Sequence, residues 1–408
     1  MSYIVHSHLR WDFVWQRPQQ LLSRLAQRSH VLFVEEPVYL DDIPAARLDV
    51  TLPLPRLHRA VPLLPGTLRG QYDASIATIR DLVRKQVAAD GPLGSAFHRP
   101  VQWFYTPMPA PAMLGAFDER AVVYDCMDEL SKFRFAPAEL VDREHYLVAN
   151  ADVVFTGGYK LWQAKSRHHA NVHFFGCGVD VDHFAAARSE DLALAPELAT
   201  LRGKVMGYFG VIDERIDYDL LAKLAHENSD AELVMVGPVV KVDPNELPQG
   251  PNIHWLGQRS YADLPSYVKG FDVCLMPFAL NEATEYINPT KTLEYMAAGK
   301  PIVSTAVSDV VHNFTPVVTV ATSDDDFVTA TATAMLNPDA AMIARGVEQA
   351  RANTWESIVA RMERIVREAL RSRSERGIAA AKERSSRRDD RVHRANRALA
   401  TATDETGD

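Results

Sequence analysis

The chain has 408 residues, 47% of them hydrophobic and 24% charged, with a formal net charge of −9. That balance fits a globular protein long enough for two domains and a tail, and it argues against a nucleic-acid binder, which needs clustered Lys and Arg. No apolar run approaches the roughly 20 residues of a membrane helix, Met1-Ser2-Tyr3 leads into Ile4-Val5 without the regions of a signal peptide, and Cys126, Cys177 and Cys274 form no CxxC pair, reading as reduced core thiols of a cytoplasmic protein.

Tyr3-Ile4-Val5 predicts the first strand and Val14 to Arg28 a helix with Leu21, Leu22, Leu25 and Ala26 inward. The loop between them, His6 to Gln19, crowds polar and aromatic groups at the carboxyl end of a strand, where ligands bind in open α/β sheets. Trp11 and Trp15 can stack on a sugar ring, while His6, His8 and Arg17 can bind hydroxyls or phosphate. The alternative is a helix start capped by Asp12, with the aromatics filling an interface between domains. His6-x-His8 has no further ligand at metal spacing, so no metal is expected.

Val31 to Glu35, Gln102 to Tyr105, Ala121 to Asp125 and Asp152 to Thr156 follow as strands, with Asp142 to Ala149 helical between the last two. Short apolar strands separated by helices predict a parallel sheet covered on both faces. Residues 50–70, carrying Arg56, Arg59 and Arg69, form a Pro-rich, basic and apolar insertion. Asp128, just past a strand, is a carboxylate able to bond a sugar or act as a base; alternatively Asp128 or Ser131 caps the next helix. Gly157-Gly158 permit close backbone approach at a strand-to-helix turn.

The pattern restarts after about residue 200. Lys204 to Gly210, Ala231 to Gly237, Ile253 to Gly257, Val273 to Phe278 and Ile302 to Thr305 read as strands, and Tyr218 to Asn228 as a helix. Two successive βα sheets predict two Rossmann-like domains, joined near residues 185–203 where Pro196 and an acidic, Ala-rich composition fit a linker. Within the second, Asn288-Pro289 precede a helix from Thr290 to Ala298, closed by Gly299 and Pro301. Its N-terminus offers free N–H groups beside Thr290 and Lys291, suited to a phosphate. Glu294 lies on the same face one turn on, where a carboxylate can accept two ribose hydroxyls. Thr354 to Leu370 is the last clear helix, with Asn353 and Glu356 as a capping box; beyond Arg371 an Arg-, Ser- and Ala-rich stretch predicts disorder or a loosely held helix.

Glu294-Tyr295-Met296-Ala297-Ala298-Gly299-Lys300-Pro301 resembles the donor-site helix of family 4-like retaining glycosyltransferases of the GT-B fold. The block Trp11-Asp12-Phe13-Val14-Trp15-Gln16-Arg17-Pro18-Gln19 fits the bacterial, teichuronic-acid-type branch, and the likeness runs over roughly residues 1–370. The resemblance implies that Gly210, Arg215 and Lys291 hold the donor diphosphate, that Gln258 and Arg259 contact the base, and that the polar loop ending at Asn288 touches the sugar. Phe175-Gly176-Cys177-Gly178-Val179-Asp180 then marks the hinge. The spacing to Arg215 differs and Asp217-Tyr218 stand where the pattern has Lys-Gly, and two further positions depart from it. Tyr286 replaces an upstream Glu, with Glu285 and Glu282 close by, and Met127 replaces a His. The catalytic polar group is then Asp128, or His6 or His8 from the first loop, with Trp11, Trp15 and Arg17 toward the acceptor.

The expected architecture is α/β and GT-B: an acceptor domain over 1–190, a donor domain over 200–350, a helix at 354–370 crossing back, and a flexible tail over 372–408. The expected reaction moves a sugar from a nucleotide diphosphate sugar, with no cofactor and no metal, to a saccharide or lipid-linked acceptor, in cell-surface polysaccharide or glycolipid assembly. Residues 50–70 are expected to form an acceptor-side loop or a membrane patch, since arginines beside Leu and Pro suit anionic lipid, the alternative being a packed excursion over the sheet; the protein is then cytoplasmic, or peripheral on the inner face of the membrane. Competing readings are a non-hydrolysing sugar-nucleotide epimerase, an inactive sugar-nucleotide-binding protein, and a metal-dependent GT-A transferase using Asp180-x-Asp182 or Asp217-x-Asp219.

Overall fold

A computed structural model describes residues 1–375. Two sheets organise the chain. The first contains β1 (Ser2–His6), β2 (His30–Val34), β3 (Val38–Leu40), β4 (Arg47–Leu54), β5 (Leu57–Pro65), β6 (Val101–Phe104), β7 (Ala121–Cys126), β8 (Val153–Thr156) and β9 (Val172–Phe174). Its order is β3-β5-β2-β1-β6-β7-β8-β9 with β4 on β5, and every pairing is parallel except β4 with β5. The second contains β10 (Lys204–Phe209), β11 (Ala231–Val236), β12 (Ile253–Gly257), β13 (Val273–Met276), β14 (Ile302–Thr305) and β15 (Thr319–Ala321), all parallel in the order β12-β11-β10-β13-β14-β15. Along β1, Tyr3 and Val5 enter one core and Ile4 another, so both faces are covered. The second sheet has a core of its own around Met206, Tyr208, Leu233 and Cys274.

Three local expectations are corrected. Residues 50–70 are not a loop: β4 and β5 form a hairpin turning at Arg56, whose φ is +64°, and β5 joins the sheet beside β2. Leu57, Ala60 and Leu64 point into the core, and the three arginines are used within the fold. Arg56 bonds the Gln27 carbonyl, Arg59 pairs with Glu35 at 2.7 Å and with Asp12, and Arg69 reaches Asp41 at 3.5 Å. The first helix is Arg17–Leu25, shorter than expected because Pro18 fixes its first turn and Gln16 with Gln19 forms the capping box; Asp12 is no cap. Asp180 and Asp217 cap the helices Val181–Ala185 and Tyr218–Glu227 through their carboxylates, so the first Asp of each Asp-x-Asp pair has a structural role.

The last helix runs over 355–375. Thr354, not Asn353, caps it: its Oγ1 accepts from Ser357 N at 3.2 Å, while the Asn353 amide donates back to Gln349 O. Thr354→Ala should lower stability by about 1 kcal/mol, read as a lower denaturant midpoint. The helix crosses back, since Trp355, Ile358, Val359, Met362 and Val366 lie in one cluster with Tyr3, Leu21, Leu22, Leu25 and Trp103 of the first sheet's layer. Val179 pairs with Thr354, so the two passages of chain between the sheets run side by side. Of the expected tail, residues 372–375 continue this helix and 376–408 lie outside the described residues. Among the described residues no helix is long and apolar enough to cross a membrane.

Candidate functional site

The carboxyl ends of both sheets face each other across a cavity of about 780 Å³, a volume typical of small-molecule sites. The loops after β1, β7 and β8 form one wall, and those after β10, β11, β12 and β13 form the other. Bonds across the cleft hold the walls in register: Asn288 Nδ2 donates to Gly157 O at 3.0 Å, Gln258 Nε2 to Phe13 O at 2.6 Å, and Gln20 Nε2 to the Tyr261 hydroxyl at 2.9 Å.

On the second wall, β10 ends at Gly210 (φ +142°) and β11 at Gly237 (φ +151°). A Cβ on Gly237 would stand 1.8 Å from the Gly210 carbonyl, so this double turn brings two bare backbones together beside the cavity. The short helix Lys291–Ala297 starts at the same place. Thr292 N and Leu293 N bond to the carbonyls of Pro289 and Thr290, leaving the amides of Thr290 and Lys291 free among the described residues. Lys291 forms no ion pair there either; its Nζ lies 5.0 Å from the centre of the Tyr208 ring and 5.3 Å from that of Phe278. Burial, then the nearby Arg215, lowers the Lys291 pKa, partly offset by Glu294. Burial likewise raises that of Glu294, which is 7% exposed and has no side-chain hydrogen bond among the described residues. A desolvated cation and a desolvated carboxyl, one turn apart on a cavity wall, are both short of partners. Arg215 is better satisfied: Asp213 grips it with contacts of 2.9 and 2.7 Å, and Phe133 from the opposite wall covers it at 5.6 Å.

The first wall carries Trp11, Trp15, Arg17, Met127 and Asp128. Arg17 is 3% exposed, paired with Asp125 at 2.9 Å, and donates to the carbonyls of Phe175 and Gly176. Its charge is consumed in fastening the hinge segment to the sheet, so the reading of Arg17 as an acceptor ligand is corrected. Trp11 is buried against Phe33, with Trp15 at its edge, and Trp15 reaches Tyr261 across the cleft; Trp11 thus fills the interface and Trp15 keeps the more open face. Asp128 forms no side-chain hydrogen bond among the described residues, and burial raises its pKa against the opposing pull of Arg215 and Arg17.

The two histidines do not reach the cavity. His6 stacks on Phe104 and shares a hydrogen bond with Gln102 at 2.9 Å, because its position in β1 turns it into the core. His8 lies off the cavity lining, and burial pushes its pKa down to about 4. Glu282 and Glu285 do not replace the missing carboxylate at Tyr286, being paired with Lys132 at 3.0 Å and Lys160 at 2.7 Å. At the far end, Gln258 and Arg259 line the cavity with Pro238, Ser260 and Tyr261; Arg259 also pairs with Glu197 at 2.8 Å. Sequence reasoning missed Tyr208, Gly237, Tyr261, Cys177 and Phe278. Gly237, ending an apolar strand, was the one with a visible signal. Cys177 accepts from the Thr290 hydroxyl at 3.1 Å, a contact between distant segments that no motif announces.

Two Rossmann-like sheets, a cleft between their carboxyl ends and a terminal helix crossing back define a GT-B fold. Residues 203–338 match the family of glycosyl transferases group 1. The chain is 27% identical over 226 residues to the Bacillus subtilis (strain 168) protein named teichuronic acid biosynthesis glycosyltransferase TuaH, covering 50% of this chain and 54% of that one. The match therefore spans about half the length of that relative. Among solved structures, a sucrose-phosphate synthase from Thermosynechococcus elongatus is similar with a TM-score of 0.67 at 15% identity, covering 91% of this chain and 99% of its own. Anabaena HepE, solved with UDP and glucose, is similar with a TM-score of 0.64 at 14% identity, covering 89% and 98%.

Proposed function

We propose that this protein transfers a glycosyl unit from a nucleoside diphosphate sugar to an acceptor hydroxyl, in the assembly of a cell-surface polysaccharide or glycolipid. The observation that carries the reading is Lys291, a half-buried cation without a carboxylate partner among the described residues, opening onto a large cavity beside two glycine turns. A diphosphate supplies the countercharge that burial denies it, with Arg215 next to it and the amides of Thr290 and Lys291 adding neutral donors. Glu294 faces the ribose, and Gln258, Arg259 and Tyr261 surround the base. The sugar then projects toward Asn288 and Asp128. Negative charge developing on the departing diphosphate falls on Lys291 and Arg215, so bond cleavage is assisted by fixed charges.

Asp128 is the group we assign to the acceptor hydroxyl. It stands on the wall opposite Lys291, and its raised pKa suits a carboxylate that accepts a proton as the new glycosidic bond forms. Of the two carboxylates lining that wall, Asp12 pairs with Arg59, so Asp128 is the free one among the described residues. The similarity to a teichuronic acid glycosyltransferase and to proteins solved with UDP supports a uridine-type donor and a polymer or lipid-linked acceptor. Such acceptors are presented at membranes, and the protein then works at a membrane surface.

A screen of nucleotide sugars by thermal unfolding tests the reading. A donor at a hundredfold excess over Kd adds about 2.7 kcal/mol of stability, a rise of several degrees. No rise with any uridine, guanosine, thymidine or adenosine diphosphate sugar would overturn it.

A further inference from the structure

The loop after β7 holds an aromatic residue out in solvent. Phe135 is 82% exposed and has a φ of +67°, a left-handed conformation that is costly for a bulky side chain. The loop around it is fastened: Glu129 binds Lys165 at 2.8 Å, Lys132 binds Glu282 at 3.0 Å, and Phe133 lies under Lys241 at 5.4 Å. Arg134 donates to the Lys241 carbonyl at 3.5 Å. Phe135 is therefore presented by a braced segment that leads out from Asp128 on the cavity wall. Leu280, 63% exposed, sits two residues before the Glu282 that pairs with Lys132, so a second bare apolar side chain lies close to the same loop. Lys132, Arg134 and Lys241 are exposed on or against this loop; Lys132 pairs with Glu282 and Lys241 lies 3.9 Å from Glu214, while Arg134 has no carboxylate partner among the described residues.

We infer that this rim docks the cleft mouth on an anionic bilayer, with Phe135 and Leu280 entering the headgroup layer and Arg134 and Lys241 meeting lipid phosphates. Aromatic side chains flanked by cations suit that boundary, where the ring leaves water while the charges stay at the headgroups. The placement rests on the membrane-presented acceptor proposed above. It puts Asp128, on the same loop, next to the surface from which the acceptor hydroxyl arrives. It also moves the membrane contact away from the β4–β5 hairpin, where Arg59 is taken by the buried Glu35.

Phe135→Gly separates function from folding, because glycine relieves the left-handed backbone. In co-sedimentation of the full chain with phosphatidylglycerol-containing vesicles, the wild type should pellet, and less so at high salt. Phe135→Gly should lower the partition roughly tenfold with an unchanged or higher thermal midpoint. Arg134→Gln and Lys241→Gln should each lower it roughly fivefold. Wild type remaining in the supernatant, equal pelleting with pure phosphatidylcholine, or Phe135→Gly pelleting like wild type would overturn the inference. If Phe135→Gly instead impairs transfer to a water-soluble acceptor, or splits a dimer, without changing vesicle binding, the ring belongs to the acceptor site or to a second copy. Calorimetry with a nucleoside diphosphate is the separate arm: binding should be equal in wild type and Phe135→Gly. Its absence in both would refute the donor site and leave the vesicle result to decide this surface.

Discussion

Lys291→Ala should weaken binding of a nucleoside diphosphate roughly ten- to hundredfold, while leaving binding of the nucleoside almost unchanged. Glu294→Ala should weaken both ligands, because the ribose is common to them. A hydrogen bond to a charged group is worth about 1.5–3 kcal/mol, which sets the range. The other possibility is that the two side chains neutralise each other and bind nothing. The structure gives that little support, since no ion pair joins them and both are short of partners. Titration calorimetry with a diphosphate and its nucleoside decides between the two, and equal affinities in folded variants would remove the donor site. The pair also has a signature without ligand. Glu294 holds a proton in the native state above the ordinary Glu range, where the unfolded chain has lost it, so its contribution falls as pH rises toward the raised pKa. Lys291 acts in the opposite sense above neutrality: the unfolded chain keeps the proton, and stability recovers as pH climbs toward the ordinary lysine value. The pair is thus least favourable near neutral pH, which is where a bound diphosphate should add most. Lys291→Met/Glu294→Gln should gain most on wild type there, and a stability difference that stays flat between about pH 5 and about pH 10 would contradict this.

The helix carrying Lys291 and Glu294 was legible because its information is local. Pro289, Gly299 and Pro301 mark the ends of a helix, and a spacing of three places Lys291 and Glu294 on one face. The opposite wall was not, because its chemistry depends on what the side chains meet. Arg17 looks like a ligand in sequence but closes on Asp125, 108 residues away. His6 looks equally available, yet its strand position points it into the core. Glu282 and Glu285 are taken by lysines from the other half of the chain, which no reading of one loop could anticipate.

At the level of fold, the parallel strands read correctly because continuous apolar runs between helices have few alternatives. The β4–β5 hairpin was not read as strands because its prolines suggested an irregular segment; Pro53 is tolerated because it falls where the register of the edge strand β4 shifts, between Thr51 and Leu54. The Asp-x-Asp pairs show the converse hazard. An Asp before a helix is first of all a cap, and the first Asp of each pair proved to be that.

A chain ending at Pro338 should fail to fold or should aggregate. That truncation removes the helix Ala340–Ala352, which packs through Gly346 on Met296 of the Lys291–Ala297 helix, and the crossing helix over 355–375. The crossing helix buries Trp355, Ile358, Val359, Met362 and Val366 against the first sheet's layer. At about 1.5–3 kcal/mol for each large side chain, the loss is comparable to the 5–15 kcal/mol that holds a whole domain folded. Without it Tyr3, Leu21, Leu25 and Trp103 become one side of an uncovered apolar face. Trp355→Ala tests the same contact in the intact chain and should cost about 3–5 kcal/mol. Trp355 is fully buried where the two passages between the sheets run together, and a Cβ on Gly178 would already stand 2.8 Å from its ring. Removing the ring therefore leaves a cavity at the joint itself, loosening the register of the two walls as well as the fold. Denaturant unfolding followed by tryptophan fluorescence and by circular dichroism should show one lowered transition splitting into two as the halves uncouple. A monomeric chain ending at residue 338 with a near-native midpoint would show that the crossing helix is dispensable.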